Sequence, residues 1–217
     1  MERLYKGVLS ALQKENKEEA VMLSLAALNS GSVTVPELYE MVLAPALISV
    51  VDEYPKDEEL IWREHVRSAI IRTIMESAYP FVLEERSKAG QSKGKVLVVC
   101  PEFEDHELGA KMVADFFTIG GFDTTFVGAR TPEKTLFQAI SIVEPDFITI
   151  SVTNYFNLVS VKKLIENIKE KFGDRITFIV GGNAFASNPE AYKMVGADML
   201  SEDYEDIMKI TKEAGLA

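Results

Sequence analysis

The chain has 217 residues, 47% of them hydrophobic and 26% charged, which suits a folded globular protein with a real core rather than a disordered one. A net charge of −11 disfavours a nucleic-acid surface, because phosphate binding needs clustered Lys and Arg. With one cysteine and two histidines, an internal disulfide is excluded and a zinc site of the Cys/His kind is not expected, so any metal should arrive inside a cofactor. No apolar run approaches the roughly 20 residues of a membrane span. The first residues carry charges where a signal peptide needs an apolar stretch, so the expected compartment is the cytoplasm.

Residues 1 to about 87 read as helical. Leu4, Val8, Leu9 and Leu12 recur at helical spacing, as do Val21, Leu23, Leu25 and Ala26 in a second segment that ends at the Ser-Gly-Ser around Gly31. Thr34 and Glu37 form a capping box that opens a third helix, running to about Val51. The segment Glu53–Glu59, with Pro55 inside it, breaks the pattern. A fourth and longest helix is expected from about Glu58 to Leu83, completing a small four-helix bundle. The polar stretch Glu84–Lys95 is the natural linker, and the expected division is 1–87, 88–94 and 95–217.

After the linker the period changes. KVLVVC, DTTFVG, FITISV, TFIVGG and DMLSED are short β-branched runs, each followed by a helical pattern. Such alternation predicts an α/β domain with a five-stranded parallel sheet of flavodoxin-like (Rossmann-type) order, and a ligand crevice at the strands' carboxyl ends. Three segments would share that edge: the loop Pro101–His106, the strand end Ser151–Thr153, and Gly181-Gly182.

His106 precedes a helix beginning near Glu107. A histidine there can ligate a metal through one ring nitrogen while the other donates to a carboxylate, and Glu104 can supply that carboxylate. Gly109 would let the backbone pass close to something bulky. Ser151 and Thr153 lie two apart on one face of a strand, and Gly181-Gly182 could admit a flat ligand. Each also has an ordinary explanation: a histidine at a helix start, small residues ending a strand, glycines turning the chain. Cys100 reads as a buried small hydrophobe, and Phe116 and Phe117 as helix core.

Taken together, in order and spacing, these residues resemble the cobalamin-binding domain of methionine synthase, corrinoid methyl carriers and mutases. That family carries Asp-x-His-x-x-Gly, then Ser-x-Leu or Ser-x-Thr, then Gly-Gly. Here the three read Glu104-Asp105-His106-Glu107-Leu108-Gly109, Ser151-Val152-Thr153 and Gly181-Gly182. The resemblance implies that His106 replaces the benzimidazole of the cofactor as lower ligand to cobalt. It also implies that the displaced nucleotide tail runs beside Ser151, Thr153, Gly181 and Gly182, under a helical cap. Glu104 stands where the carriers have Asp. The form Glu-x-His-x-x-Gly, with the flanks CPEFEDHELG and FVGARTP, looks like the light-sensing adenosylcobalamin-dependent repressors. Those carry Trp, nine residues, then Glu-His in the cap; here Glu64-His65 is present and Tyr54 holds the Trp position, while Trp62 lies two before Glu64.

Two roles follow from the resemblance. The leading expectation is a regulatory cobalamin sensor acting through a protein partner such as a transcription regulator, without direct nucleic-acid or membrane contact; a homodimer is compatible with it. The other is the methyl-carrying corrinoid subunit of a methyltransferase system, in which the cofactor does the chemistry and the protein supplies ligation and access. The first would take adenosylcobalamin, the second methylcobalamin. A flavodoxin-like module for another ligand is the third reading. A phospho-receiver would need an aspartate where Ser151-Val152-Thr153 stands, a dinucleotide reader Gly-x-Gly-x-x-Gly after the first strand, and a triad hydrolase Gly-x-Ser-x-Gly; none is present.

Overall fold

The computed structural model describes residues 1–54 and 60–214, so the expected break at Pro55 and the helix start near Glu58 lie outside the described residues. The chain divides into two compact units, Met1–Glu85 and Arg86–Ala217.

The first unit is helical. Helix α1 spans Glu2–Gln13 and buries Val8, Ala11 and Leu12. Helix α2, Lys17–Asn29, starts where the Asn16 side chain accepts from the Glu19 amide. The capping box at Thr34 is formed in both directions: the Glu37 amide donates to Thr34 Oγ1 at 3.3 Å, and the Thr34 amide donates to Glu37 Oε2 at 2.7 Å. From there one helical path runs as α3 (Val35–Leu38), a π turn (Tyr39–Leu43) and α4 (Ala44–Glu53). Helix α5 spans Leu60–Lys88, five residues beyond the expected end at Leu83, and buries Ile70, Ile71, Ile74, Met75, Ala78 and Val82. The Glu84–Lys88 stretch that reads as linker from its polarity is thus the partly exposed end of a helix; Arg86 and Lys88 sit there, where cations suit the helix dipole.

A charged group is buried with this apolar set. Arg67, 3% exposed, donates two bonds to the Glu53 carboxylate at 2.9 and 3.0 Å, and others to the Ala46 carbonyl and the Ser49 hydroxyl. It ties α5 to α4 by bidentate, charge-assisted bonds.

The second unit is a five-stranded, all-parallel sheet in the order β2-β1-β3-β4-β5, the flavodoxin-like order. The strands are β1 Lys95–Pro101, β2 Asp123–Thr131, β3 Phe147–Ser151, β4 Thr177–Gly181 and β5 Met199–Leu200. The helices between and after them are α6 Leu108–Ile119, α7 Glu133–Val143, α8 Leu158–Phe172, α9 Ala191–Met194 and α10 Tyr204–Ala214. One face of the sheet (Leu97, Val99, Ile148, Ile150, Phe178, Val180) packs with Leu136 and Ile140 of α7 and Val161, Ile165 and Ile168 of α8. Near α6, Phe117, Phe122 and Phe147 stack edge to face, with centroids 5.7 and 5.6 Å apart. Phe116 and Phe117 are buried. Because β1 lies between β2 and β3, the order in which strands are added reverses there, and in sheets of this order the carboxyl ends of the strands at that reversal are where ligands bind.

Among the described residues no helix is long and apolar enough to cross a membrane.

The Arg67 clamp yields a prediction. Hydrogen bonds from Arg67 hold the Glu53 carboxyl below the ordinary carboxylate range, against the opposing effect of burial. The native state therefore binds that proton less tightly than the unfolded chain. The resulting stability is complete above the unfolded carboxylate pKa and is lost as pH falls through the native value. Arg67→Ala should cost about 3 kcal/mol near neutral pH and flatten the acid limb of stability, read from circular-dichroism melts across a pH series. Equal acid slopes in both proteins would contradict this role.

Candidate functional site

The site is built at the carboxyl edge of β1 and β3. After Pro101 the chain turns, the Glu104 amide bonding back to the Pro101 carbonyl at 2.9 Å, and this turns the Glu104 side chain inward. Glu104 is 1% exposed. Its Oε2 accepts from the amides of Thr153 and Asn154, each at 2.9 Å, and from Asn157 Nδ2 at 3.1 Å. Its Oε1 faces His106 Nδ1 at 2.6 Å and accepts the His106 amide at 3.2 Å. Burial works against the charge, but the donors outweigh it: the Asn154 amide, the His106 ring, and the Thr153 and His106 amides together hold the carboxyl below its usual pKa.

An ionised carboxylate only accepts, so it fixes the proton on His106 Nδ1 and leaves the lone pair on Nε2. The imidazole is 63% exposed, so that lone pair belongs to a side chain open to the surroundings. Beneath it, the buried Cys100 thiol lies 3.6 Å from the His106 carbonyl; burial, then the charges of Glu104 and Glu107, push its pKa up to about 12. That thiol is no nucleophile.

The other residues singled out in this unit fall on the same edge. Ser151 pairs with Gly181 across β3 and β4, and the Val152 amide donates to the Gly181 carbonyl at 2.9 Å. Gly182 has φ +100°, and a Cβ there would sit 2.5 Å from the Val152 carbonyl oxygen; one on Gly181 would sit 2.5 Å from that of Ser201. The glycine pair thus lets β4 leave the sheet in close contact with the ends of β3 and β5. At Gly109 an added Cβ would meet nothing within 4 Å, so open space lies beside the first turn of α6. Asp105 is paired with Arg130.

The helical unit holds the remaining three. Tyr54 ends α4, with the Arg63 guanidinium 4.8 Å from its ring centroid and 4.5 Å from that of Trp62. Glu64 accepts from the Ser68 hydroxyl, and His65 is largely exposed, its Nε2 3.6 Å from Glu64. Sequence reasoning missed Asn157, Asn154 and Arg130. Asn154 and Asn157 bracket the turn after β3, and Asn154 caps it through the Phe156 amide; polar caps three apart after a buried strand were the available signal.

Residues 94–209, more than half of the chain, match the family described as the B12 binding domain. The chain belongs to the B12-binding domain family. Its cofactor is therefore a corrinoid. Trimethylamine corrinoid protein 1 of Methanosarcina acetivorans is 27% identical over 201 residues, covering 91% of this chain and 90% of the relative. The HTH-type transcriptional repressor CarH of Myxococcus xanthus is 25% identical over 150 residues, 69% of this chain and 48% of the repressor. The solved monomethylamine corrinoid protein of Methanosarcina barkeri superposes with a TM-score of 0.81 over 98% of both chains at 17% identity, a likeness of fold.

The residues present fit a B12 cofactor. A cobalt ion needs one accessible nitrogen lone pair, and His106 Nε2 has it. A polar nucleotide tail needs hydrogen-bond partners, and the Thr149 hydroxyl, two residues before Ser151 on β3, is buried without one.

The glycines make a contrast that can be measured. Gly182→Ala should cost more than about 2 kcal/mol, since φ is left-handed and the obstructing atom is backbone. Gly109→Ala, in a helix beside open space, should leave stability unchanged or slightly raised. Denaturant titration of the two variants checks this; a tolerated Gly182→Ala would contradict the close approach of β4 to β3.

Proposed function

We propose that this chain is a corrinoid carrier protein of a methyltransferase system, holding its cofactor with His106 as the lower ligand to cobalt. The observation that carries the ligand assignment is the 2.6 Å contact of the buried Glu104 carboxylate with His106 Nδ1, which presents Nε2. The match to a trimethylamine corrinoid protein over nine-tenths of both chains supports the carrier role. When bound, the corrinoid supplies a cobalt centre able to accept and pass on a methyl group.

The chain's own residues would do the rest. Glu104 fixes the tautomer and ring orientation of His106 and makes it a better donor. Ser151 and Thr153, with Gly181 and Gly182, line the course of the nucleotide tail, and Gly109 leaves the backbone open to the corrin. On this reading residues 95–217 are the cofactor domain and residues 1–87 the helical cap, whose Tyr54, Glu64 and His65 are the residues that the resemblance assigns to the cofactor. The carrier reading implies a methyltransferase as protein partner and methylcobalamin as the loaded form.

A regulatory sensor is the second reading, favoured by Glu104-x-His106 and Glu64-His65 and by the match to CarH. It implies adenosylcobalamin and a transcription-regulator partner. Tyr54, whose ring is taken up by Arg63, offers a phenol where those repressors have an indole.

Absorption spectra of the chain with adenosyl-, methyl- and hydroxocobalamin test both. Wild type should show displaced benzimidazole and coordinated histidine, and His106→Ala should lose the histidine signature. Glu104→Gln should weaken it, because the amide turns a donor toward donors. Selective retention of methyl- and hydroxocobalamin supports the carrier; a light-driven, stable product with adenosylcobalamin supports the sensor. A His106→Ala spectrum identical to wild type would contradict the ligand assignment.

A further inference from the structure

The residues on both sides of His106 are held by one segment, the end of β2. Pairing between β1 and β2 shifts register twice, between Val98 and Val99 and again between Val99 and Pro101, so β2 carries extra residues opposite the start of the His106 loop. The bulged segment bonds to itself, the Thr131 hydroxyl donating to the Gly128 carbonyl at 3.1 Å. It also bonds to the loop at three points. The Ala129 amide donates to Glu107 Oε2 at 2.8 Å, and the Arg130 amide donates to the Glu104 carbonyl at 3.1 Å. The Arg130 guanidinium forks onto Asp105, Nε to Oδ1 and Nη2 to Oδ2, the latter at 2.9 Å.

The backbone here is unusual. Arg130 has φ +50°, a left-handed conformation that costs an L-residue on the order of 1 kcal/mol and persists only where the surroundings over-determine it. Gly128, at φ +94°, lies so close that a Cβ would fall 2.8 Å from Glu107 Oε2. The bends of β2 therefore bring Arg130 over the loop, where amide and guanidinium grip two consecutive residues, Glu104 and Asp105, just before His106.

We propose that Arg130 is a positioning residue for the cobalt ligand. Its bonds to Asp105 and Glu104 fix the loop so that His106 Nε2 holds one position, which rests on the reading of His106 as lower ligand. Glu104 sets the ring's tautomer from beneath, while Arg130 sets where the loop stands. Both members of the ion pair are exposed, 70% and 59%, so the pair adds little to global stability. Its effect should appear in ligation and not in folding.

The full chain loaded with cobalamin and reduced to the cobalt(II) form provides the test. Electron paramagnetic resonance at fixed pH resolves nitrogen splitting from a bound histidine and so gives the ratio of ligated to unligated cofactor. Arg130→Gln and Asp105→Asn should each lower that ratio about threefold to fivefold at unchanged melting temperature. The double variant should lower it no further, because both remove the same interaction. Arg130→Lys should restore part of the ratio, keeping the charge without the fork. Wild-type ratios in both single variants, or ratios that fall only in step with the melting temperature, would overturn the proposal and leave His106 ligation standing. If wild type lacks a nitrogen splitting sensitive to His106→Ala, the ligand reading fails and the proposal with it.

Discussion

A buried carboxylate must be fully satisfied or it destabilises the fold, and the organisation of this site follows from how Glu104 meets that demand. Four backbone and side-chain donors, from His106, Thr153, Asn154 and Asn157, converge on it together with the His106 ring. They come from the loop after β1 and the turn after β3, the two sides of the point where the strand order reverses. A single charge thus closes the sheet edge, orders both loops and selects the imidazole tautomer. Low local dielectric strengthens each bond and raises the penalty for losing one.

Around that charge the backbone is shaped by close approaches. Gly181 and Gly182 let β4 pass within contact of the carbonyls of Ser201 and Val152, and Gly128 makes room for Glu107 against β2. Glu104, Asp105 and Glu107 surround His106 in sequence, yet each is committed elsewhere: to the turn after β3, to Arg130, and to the Ala129 amide. The run of acidic residues is therefore a set of struts, and the imidazole between them keeps its Nε2 free of that bonding.

Much of this was legible in the sequence, because the signals were local. The capping box at Thr34 needs only two residues three apart, and β-branched runs separated by helical periods dictate a parallel sheet. His106 with Glu104, and the glycine pair, each had an ordinary explanation alone and gained weight only through their joint resemblance to the cobalamin-binding family. What was not legible depends on tertiary partners. Arg67 on α5 reads as a solvated cation until Glu53 and Ser49 close on it. Arg130 lies in a strand-like run whose two bulges no alternation pattern reveals, and Asn157 looks like a helix start until its amide reaches Glu104. Helix α5 outran the expected stop because a polar last turn resembles a linker, and β5 is only Met199–Leu200 where a longer strand was expected, since DMLSED turns polar after Leu200.

Whether buried Glu104 presents His106 Nε2 to the cobalt of a bound corrinoid is tested most simply by a crystal structure of the chain with hydroxocobalamin, with anomalous scattering recorded at the cobalt edge. Cobalt should lie within bonding distance of His106 Nε2, with Glu104 still on Nδ1 and the benzimidazole withdrawn beside Ser151 and Gly182. Cobalt bound to its own benzimidazole, or to no nitrogen of this chain, would contradict it.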